Sequence, residues 1–359
     1  REVKIQEGPL YRAEGYPVSI RCTVSGHQGP STQDFRWSIY LPSAPTKEVQ
    51  IISTKDAGFS YAVYAQRVQS KEIYIERLQG DSVLLHISKL QMKDAGEYEC
   101  HTPNTDGKYF GSYSAKTNLT VVPDTLSATM PSQTLSKKEG EPLELTCETT
   151  KATVQHTHLS LTWYLMQEGG GSQATEIVSL SKDFVLTPGS SYADRFVAGD
   201  VRLDKLGATS FRLSVGKLQP SDQGQVFCEA TEWIQDPDET WTLITRKQTD
   251  QTALRIQPAA RSVTVSAEQR TVWEGETLTL LCKAAGDVSA LSVSWWLTPQ
   301  DQSTPVFVAG MGQDGTVQLG VSSPGPAHRG NRRLEKVDWA TFRLEIASAM
   351  VTDSGTYEC

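Results

Sequence analysis

The sequence predicts an all-β chain of three tandem β-sandwiches, the last lacking its final strand. Three observations carry that prediction. Six cysteines fall into three pairs of near-equal separation. The same tryptophan, aspartate and glycine positions recur around each pair. The apolar residues leading into each first cysteine alternate with period two, the mark of a half-buried strand.

The cysteines stand at 22, 100, 147, 228, 282 and 359, so pairing in order gives separations of 78, 81 and 77. A fixed period calls for a repeat before any motif. Gly15, Gly140 and Gly275, each preceded by glutamate, lie seven residues before Cys22, Cys147 and Cys282. The strand into the cysteine then reads Val18 and Ile20, Leu143 and Leu145, Leu278 and Leu280. A tryptophan follows (Trp37, Trp163, Trp295), with Phe35, Leu161 or Val293 two places before it, so each indole faces inward from another strand. Later come Leu85 and Ile87, Leu213 and Val215, Leu344 and Ile346. Nine residues after each of those leucines stand Asp94, Asp222 and Asp353, with glycine two later and the second cysteine six later.

Cys…Trp…Cys ending in Asp-x-Gly-x-Tyr-x-Cys is the signature of the immunoglobulin sandwich. The cysteines of each repeat would bridge its two sheets, with the tryptophan on the sulfurs. Each bond closes a loop of roughly 80 residues, worth about 4.5 kcal/mol in the chain-entropy model. Such bonds persist outside the cytosol. Free thiols or a zinc site fail on spacing, because no C-x2-C or paired His/Cys cluster is present. The long cysteine spacing leaves room for the two extra strands of a variable-type domain.

Some positions depart from the pattern. The corner tyrosine is Tyr98 and Tyr357, but Val226 stands there in the second repeat, which should lose one hydrogen-bonded corner. Trp296 follows Trp295 and should point to the opposite face. Arg67 and Arg195, each 27 residues before its aspartate, are placed to pair with Asp94 and Asp222 from strand D. Arg329 is a weaker candidate in the third repeat.

Boundaries follow. The first sandwich spans 1–123, with a turn at Asn104–Gly107 and a last strand from Tyr109 to Val122 before the sheet-breaking Pro123. The second spans 124–258 and the third 259–359, which stops at Cys359 without strand G. Arg1 begins directly on strand-like sequence with no initiator Met or signal peptide, and no apolar run approaches the roughly 18 residues of a membrane helix. The expectation is a fragment of a processed chain.

Net charge is −8, which disfavours a nucleic-acid partner because phosphate binding needs a basic surface. By sandwich the net charges are +1, −6 and −3, so the acidity lies mainly in the second. Glu229, Glu232, Asp236, Asp238 and Glu239 cluster after Cys228, flanked by Trp233 and Trp241. Exposed tryptophans on an acidic F–G hairpin would suit a basic partner surface. In the alternative, the two indoles pack on each other across the hairpin and the acids are solvated. The first sandwich has Tyr109, Phe110 and Tyr113 at its own F–G hairpin, candidate partner contacts. In the alternative, alternation turns about half of them into the core. Asn118-Leu-Thr120 is a glycosylation sequon, and a glycan there would cover one sheet face.

Enzyme chemistry finds no support. His156-Thr-His158 places two imidazoles on one strand face, away from the core, with no third ligand at a telling offset, so no metal is expected. The Gly169–Gly171 run lacks the Lys-Ser/Thr of a phosphate cradle. No nucleophile elbow or His-Glu-x-x-His occurs, and no cofactor is implied.

The run Cys228-Glu-Ala-Thr-Glu232-Trp233-Ile234, continued by Gln-Asp-Pro-Asp, resembles the Glu-Trp-Ile subfamily of the immunoglobulin superfamily. So do Glu7-Gly-Pro-Leu-Tyr11, Cys100-His-Thr-Pro-Asn-Thr-Asp106, Leu84–Cys100 and Ala309–Gly315. The resemblance implies a type I cell-surface glycoprotein of leukocytes, anchored by a segment outside this sequence. It implies restraint of T-cell activation through protein binding, and lateral association with tetraspanins. An adhesive or lateral organiser acting by self-association is the alternative. The third repeat resembles the fourth repeat of long family members more than their third, as if one repeat were skipped.

Overall fold

The computed structural model describes residues 1–169, 171, 173–286, 290–320 and 331–359. The chain is all-β with two short helices among the described residues, and none of its helices is long and apolar enough to cross a membrane. It forms two compact units, 1–257 and 258–359.

The first unit begins with β1 (Glu2–Ile5), β2 (Leu10–Ala13), β3 (Val18–Ser25), β4 (Arg36–Tyr40) and β5 (Glu48–Ser53). Then come α1 (Ala62–Gln69), β6 (Ile73–Gln79), β7 (Ser82–Ile87), β8 (Gly96–His101) and β9 (Ser114–Val122). One sheet has the order β1-β3-β7-β6 and the other β2-β9-β8-β4-β5. The edge strand changes sheets between β1 and β2, so that β2 runs parallel to β9.

The second sandwich of that unit comprises β10 (Ser127–Thr129), β11 (Gln133–Lys138), β12 (Leu143–Thr150), β13 (Thr157–Met166), β14 (Thr175–Leu180) and β15 (Leu186–Pro188). It continues through α2 (Ala193–Val197), β16 (Val201–Leu206), β17 (Ser210–Val215), β18 (Gly224–Gln235), β19 (Trp241–Gln248) and β20 (Thr252–Gln257). Its sheets are β10-β12-β17-β16 and β11-β20-β18-β13-β14-β15, with β19 also on β18.

The second unit has β21 (Ser262–Ala267), β22 (Leu278–Ala285), β23 (Val293–Pro299), β24 (Val306–Met311), β25 (Val317–Leu319), β26 (Arg332–Asp338), β27 (Thr341–Ile346) and β28 (Gly355–Glu358). They form β21-β22-β27-β26 and β25-β24-β23-β28, with β28 at a sheet edge.

Disulfides join Cys22 to Cys100, Cys147 to Cys228 and Cys282 to Cys359, one within each sandwich. Trp37, Trp163 and Trp295 are fully buried in the three cores. Trp37 is the cross-strand partner of Cys100 and Trp163 of Cys228, which sets each indole beside its disulfide. Trp296 lies on the outer face against Phe307.

An aspartate organises the turn before each second cysteine. Asp94, Asp222 and Asp353 accept the backbone N–H of Gln91, Gln219 and Met350 at 2.8, 2.9 and 2.9 Å. In the first two sandwiches the same carboxylate takes both ends of a guanidinium. Arg67 donates to Asp94 at 2.6 and 2.8 Å, and Arg195 to Asp222 at 2.7 and 2.9 Å. These arginines sit on α1 and α2, not on strand D, because a helical turn there lays the side chain back over the turn. Arg329 lies outside the described residues. The hydroxyls of Tyr98 and Tyr357 donate to the carbonyls of Asp94 and Asp353 at 2.6 Å. Val226 makes no such bond, but Tyr192 reaches Asp222 from α2's side, at 3.0 Å.

The last strand of the first sandwich starts at Ser114 and not at Tyr109. Gly107 and Gly111 adopt φ of 77° and 74°, which break the extended run. At Gly111 a side chain would also meet the Arg1 carbonyl oxygen at 1.9 Å.

Two outcomes follow. Asp94→Ala removes both Arg67–Asp94 hydrogen bonds, leaves the guanidinium only Glu72 at 3.1 Å and strips a turn cap, at a cost of about 3 kcal/mol in urea unfolding of the chain. Burial first, then the charge of Asp94, pushes the Tyr64 phenol up to about 12. An unfolded tyrosine ionises near pH 10. The stabilisation from keeping Tyr64 neutral is therefore complete below about pH 10 and is lost as pH rises towards 12. Tyr64→Phe should flatten the fall of the urea midpoint over that window.

Candidate recognition surface at the junction of the first two sandwiches

β18 and β19 extend past the core as a hairpin, and the run Glu232-Trp233-Ile234 sits where it leaves the sandwich. Alternation sends Glu232 and Ile234 inward and Trp233 outward. Glu232 is fully buried. Its carboxylate accepts from Thr157 at 2.5 Å and Thr153 at 3.1 Å, and lies 4.0 Å from the Lys151 ammonium. Lys151 also donates to the Thr157 hydroxyl at 2.6 Å, so Thr157 relays the charge contact. Trp233 is half-buried and its indole N–H donates to Ser160 at 2.8 Å.

The two indoles are not cross-strand neighbours. Trp241 faces Gln235 and Trp233 faces Leu243, with a bulge between Glu232 and Trp233. Trp241 instead lies against His158, with ring centroids 4.6 Å apart and planes tilted by 39°, and the Lys182 ammonium is 5.4 Å from its ring.

The acids of this hairpin are not uniformly solvated, as one expectation had them. Asp236 is buried, and both its oxygens accept from Arg12 of the first sandwich at 2.8 Å. Thr242 adds a bond at 2.7 Å. Around this pair the Tyr16 hydroxyl donates to the Arg246 carbonyl at 2.7 Å, and Lys247 pairs with Asp124 of the linker. Desolvation lowers the Lys247 pKa, but Asp124 and Tyr16 outweigh it and the net shift is upward. Asp238 stays near the tip, its carboxyl held below the usual range first by the Thr240 hydroxyl. An open groove of about 460 Å³ borders the pair, lined by Pro9 and Tyr11 on one side and His156, Ile234 and Glu239 on the other.

The first sandwich's own hairpin is pinned from its base. The Arg1 guanidinium donates to Asp106 at 3.0 Å and to the Thr102 hydroxyl at 2.6 Å, and lies 4.7 Å over the Tyr113 ring. Tyr113 accepts the Phe110 N–H at 2.8 Å. Tyr109 is 81 % exposed and touches Tyr113 edge to face. Of the three aromatics, Tyr109 is the most exposed. Asn118 is exposed on β9 opposite Glu97. Nothing in the sequence spacing pointed to Arg12, Tyr16 or Lys247, whose partners are set only by how the two sandwiches dock.

The family model described as the immunoglobulin V-set domain matches residues 5–122 and 130–250. This is an immunoglobulin-domain family of non-enzymatic surface proteins. The chain is 74% identical to Immunoglobulin superfamily member 2 of Mus musculus over 488 residues, covering all of this chain and 47% of that protein. It is 54% identical to the Homo sapiens protein of that name over 490 residues, covering 48% of it. Immunoglobulin superfamily member 8 of Homo sapiens is 40% identical over 384 residues, with 62% of its length covered. The chain thus spans about half the length of the first two. Those two alignments run at least 129 positions beyond this chain's 359 residues, close to the spacing from Gly140 to Gly275, one repeat.

Asp236→Ala should strand a buried guanidinium at the junction and weaken the docking of the two sandwiches by about 3–5 kcal/mol. Limited proteolysis between residues 123 and 127 reads this as faster cleavage, and Arg12→Met with Asp236→Leu should restore much of the protection.

Proposed function

The chain belongs to the immunoglobulin V-set family and, within it, to the Glu-Trp-Ile subfamily, and from that premise we propose that it is the extracellular part of a type I cell-surface glycoprotein that restrains T-cell activation by binding other proteins. The observation that carries the reading is the match of the whole chain to Immunoglobulin superfamily member 2 at 74% and 54% identity. The locked pair of sandwiches supports it, because a rigid unit loses little entropy on binding. Tyr109, at the tip of the first hairpin, is the proposed anchor. Trp241 and Trp233 have their polar and ring contacts within the second sandwich and serve first to shape its hairpin. A glycan on Asn118 would shield the face around β9 and leave the tip open. The shortfall against member 2 fits the loss of one sandwich between the second and third repeats.

A second reading has one observation in its favour. The Prostaglandin F2 receptor negative regulator of Mus musculus is 33% identical over all of this chain. That name describes action on another membrane protein. A lateral organiser that associates with neighbouring membrane proteins, tetraspanins among them, would act likewise.

Beads coated with the chain should lower the proliferation of stimulated T cells, and Tyr109→Ala should lose most of that effect while keeping its melting temperature. Unchanged proliferation with the folded wild type rejects restraint in trans. Sedimentation at high concentration then tests the second reading: a monomer throughout removes self-association.

A further inference from the structure

His156 and His158 take no part in the contacts that lock the two sandwiches. His156 precedes β13 and His158 is its second residue, so both rings stand on the outer face of the sheet. Their Nε2 atoms are 3.2 Å apart, and the rings meet edge to face. His158 is fixed from two further sides. Its Nδ1 lies 3.0 Å from the Lys182 carbonyl oxygen. A carbonyl only accepts, so Nδ1 carries the proton and Nε2 a lone pair. Trp241 packs against the same ring at a tilt of 39°. The contact between the two Nε2 atoms is then a hydrogen bond donated by His156.

The same arrangement suits two imidazoles on one cation. Zinc–nitrogen bonds of about 2.0–2.1 Å separate two ligating nitrogens by about 3.3 Å at a tetrahedral angle and about 2.9 Å at a right angle. A backbone carbonyl on Nδ1 is the usual outer contact that orients a ligating histidine. We propose that His156 and His158 form a chelating site for a divalent transition cation of the zinc, copper or nickel class. The ion takes the place of the shared proton, which moves to Nδ1 of His156, so that both Nε2 lone pairs face the metal and no proton is released.

Among the described residues no three His, Cys, Asp or Glu side chains converge on one point. The remaining coordination positions belong to water or to a donor from a bound partner. His156 and Glu239 both line the junction groove, and the Lys182 ammonium beside Trp241 is paired with Asp183 at 3.0 Å. Imidazole pairs prefer these ions over magnesium or calcium.

Calorimetric titration of the chain with zinc, nickel and copper salts should show one saturable site, tightest for copper, with magnesium silent. His156→Ala and His158→Ala each leave a single imidazole and should weaken binding about tenfold or more, His156→Ala at unchanged melting temperature. Copper should quench tryptophan emission saturably, and Trp241→Phe should lose most of that quenching while keeping the calorimetric affinity. The proposal is overturned by no saturable binding up to about 1 mM cation, where even weak chelation is visible. Affinity that survives both histidine substitutions, or quenching unchanged in Trp241→Phe, overturns it equally.

Discussion

The junction of the first two sandwiches, which together form one compact unit, is centred on a buried ion pair. Arg12 and Asp236 lie 224 residues apart in sequence and meet with both nitrogens on both oxygens, away from water. A bidentate guanidinium–carboxylate contact fixes angle as well as distance. Burial makes the pair poor as a source of net stability, since desolvation offsets much of the attraction. Its effect is specificity. An angle that separates the two would leave a buried guanidinium and a buried carboxylate unpaired, and that penalty favours the docked arrangement.

The pair also decides which surfaces are left for recognition. The hairpin of the second sandwich would be the natural binding end of an isolated variable-type domain. Here its acidic run is partly spent on the neighbour, and its motif glutamate is turned inward to hold the strand ends together. The first sandwich carries no such neighbour on its hairpin among the described contacts, and Tyr109 remains free at the tip. A tandem array thus converts equivalent loops into unequal ones: one docks, another meets the outside.

Most of the fold was legible because it is written locally and three times. Cysteine, tryptophan and aspartate spacings follow strand period and sheet pairing, which a linear reading captures. The family run was legible for the same reason, as a contiguous string. The errors were of a different kind. Strand β9 was expected to start at Tyr109, but two glycines in the left-handed region and the close approach of Arg1 interrupt it. Arg67 and Arg195 were expected on a strand, and sit on helical turns that put their side chains in the same place. Glu232 was read as a surface acid, although the period of β18 turns it inward once the hairpin's register is known. The junction escaped altogether, because no spacing rule relates a residue on one sandwich to a residue on the next.

One feature of both sandwiches bears on mechanical load. β2 runs parallel to β9 over four paired positions, and β11 runs parallel to β20 over six. Parallel strands near the entry and exit of a sandwich, when pulled from opposite ends, are loaded in shear, and their hydrogen bonds share the force together. Bonds opened one at a time yield at lower tension. The junction, by contrast, is held by separate side-chain contacts, Arg12 to Asp236, Tyr16 to Arg246 and Lys247 to Asp124, and not by a ladder. The two patches differ in length, so the four paired positions of the first sandwich spread a load over fewer bonds than the six of the second.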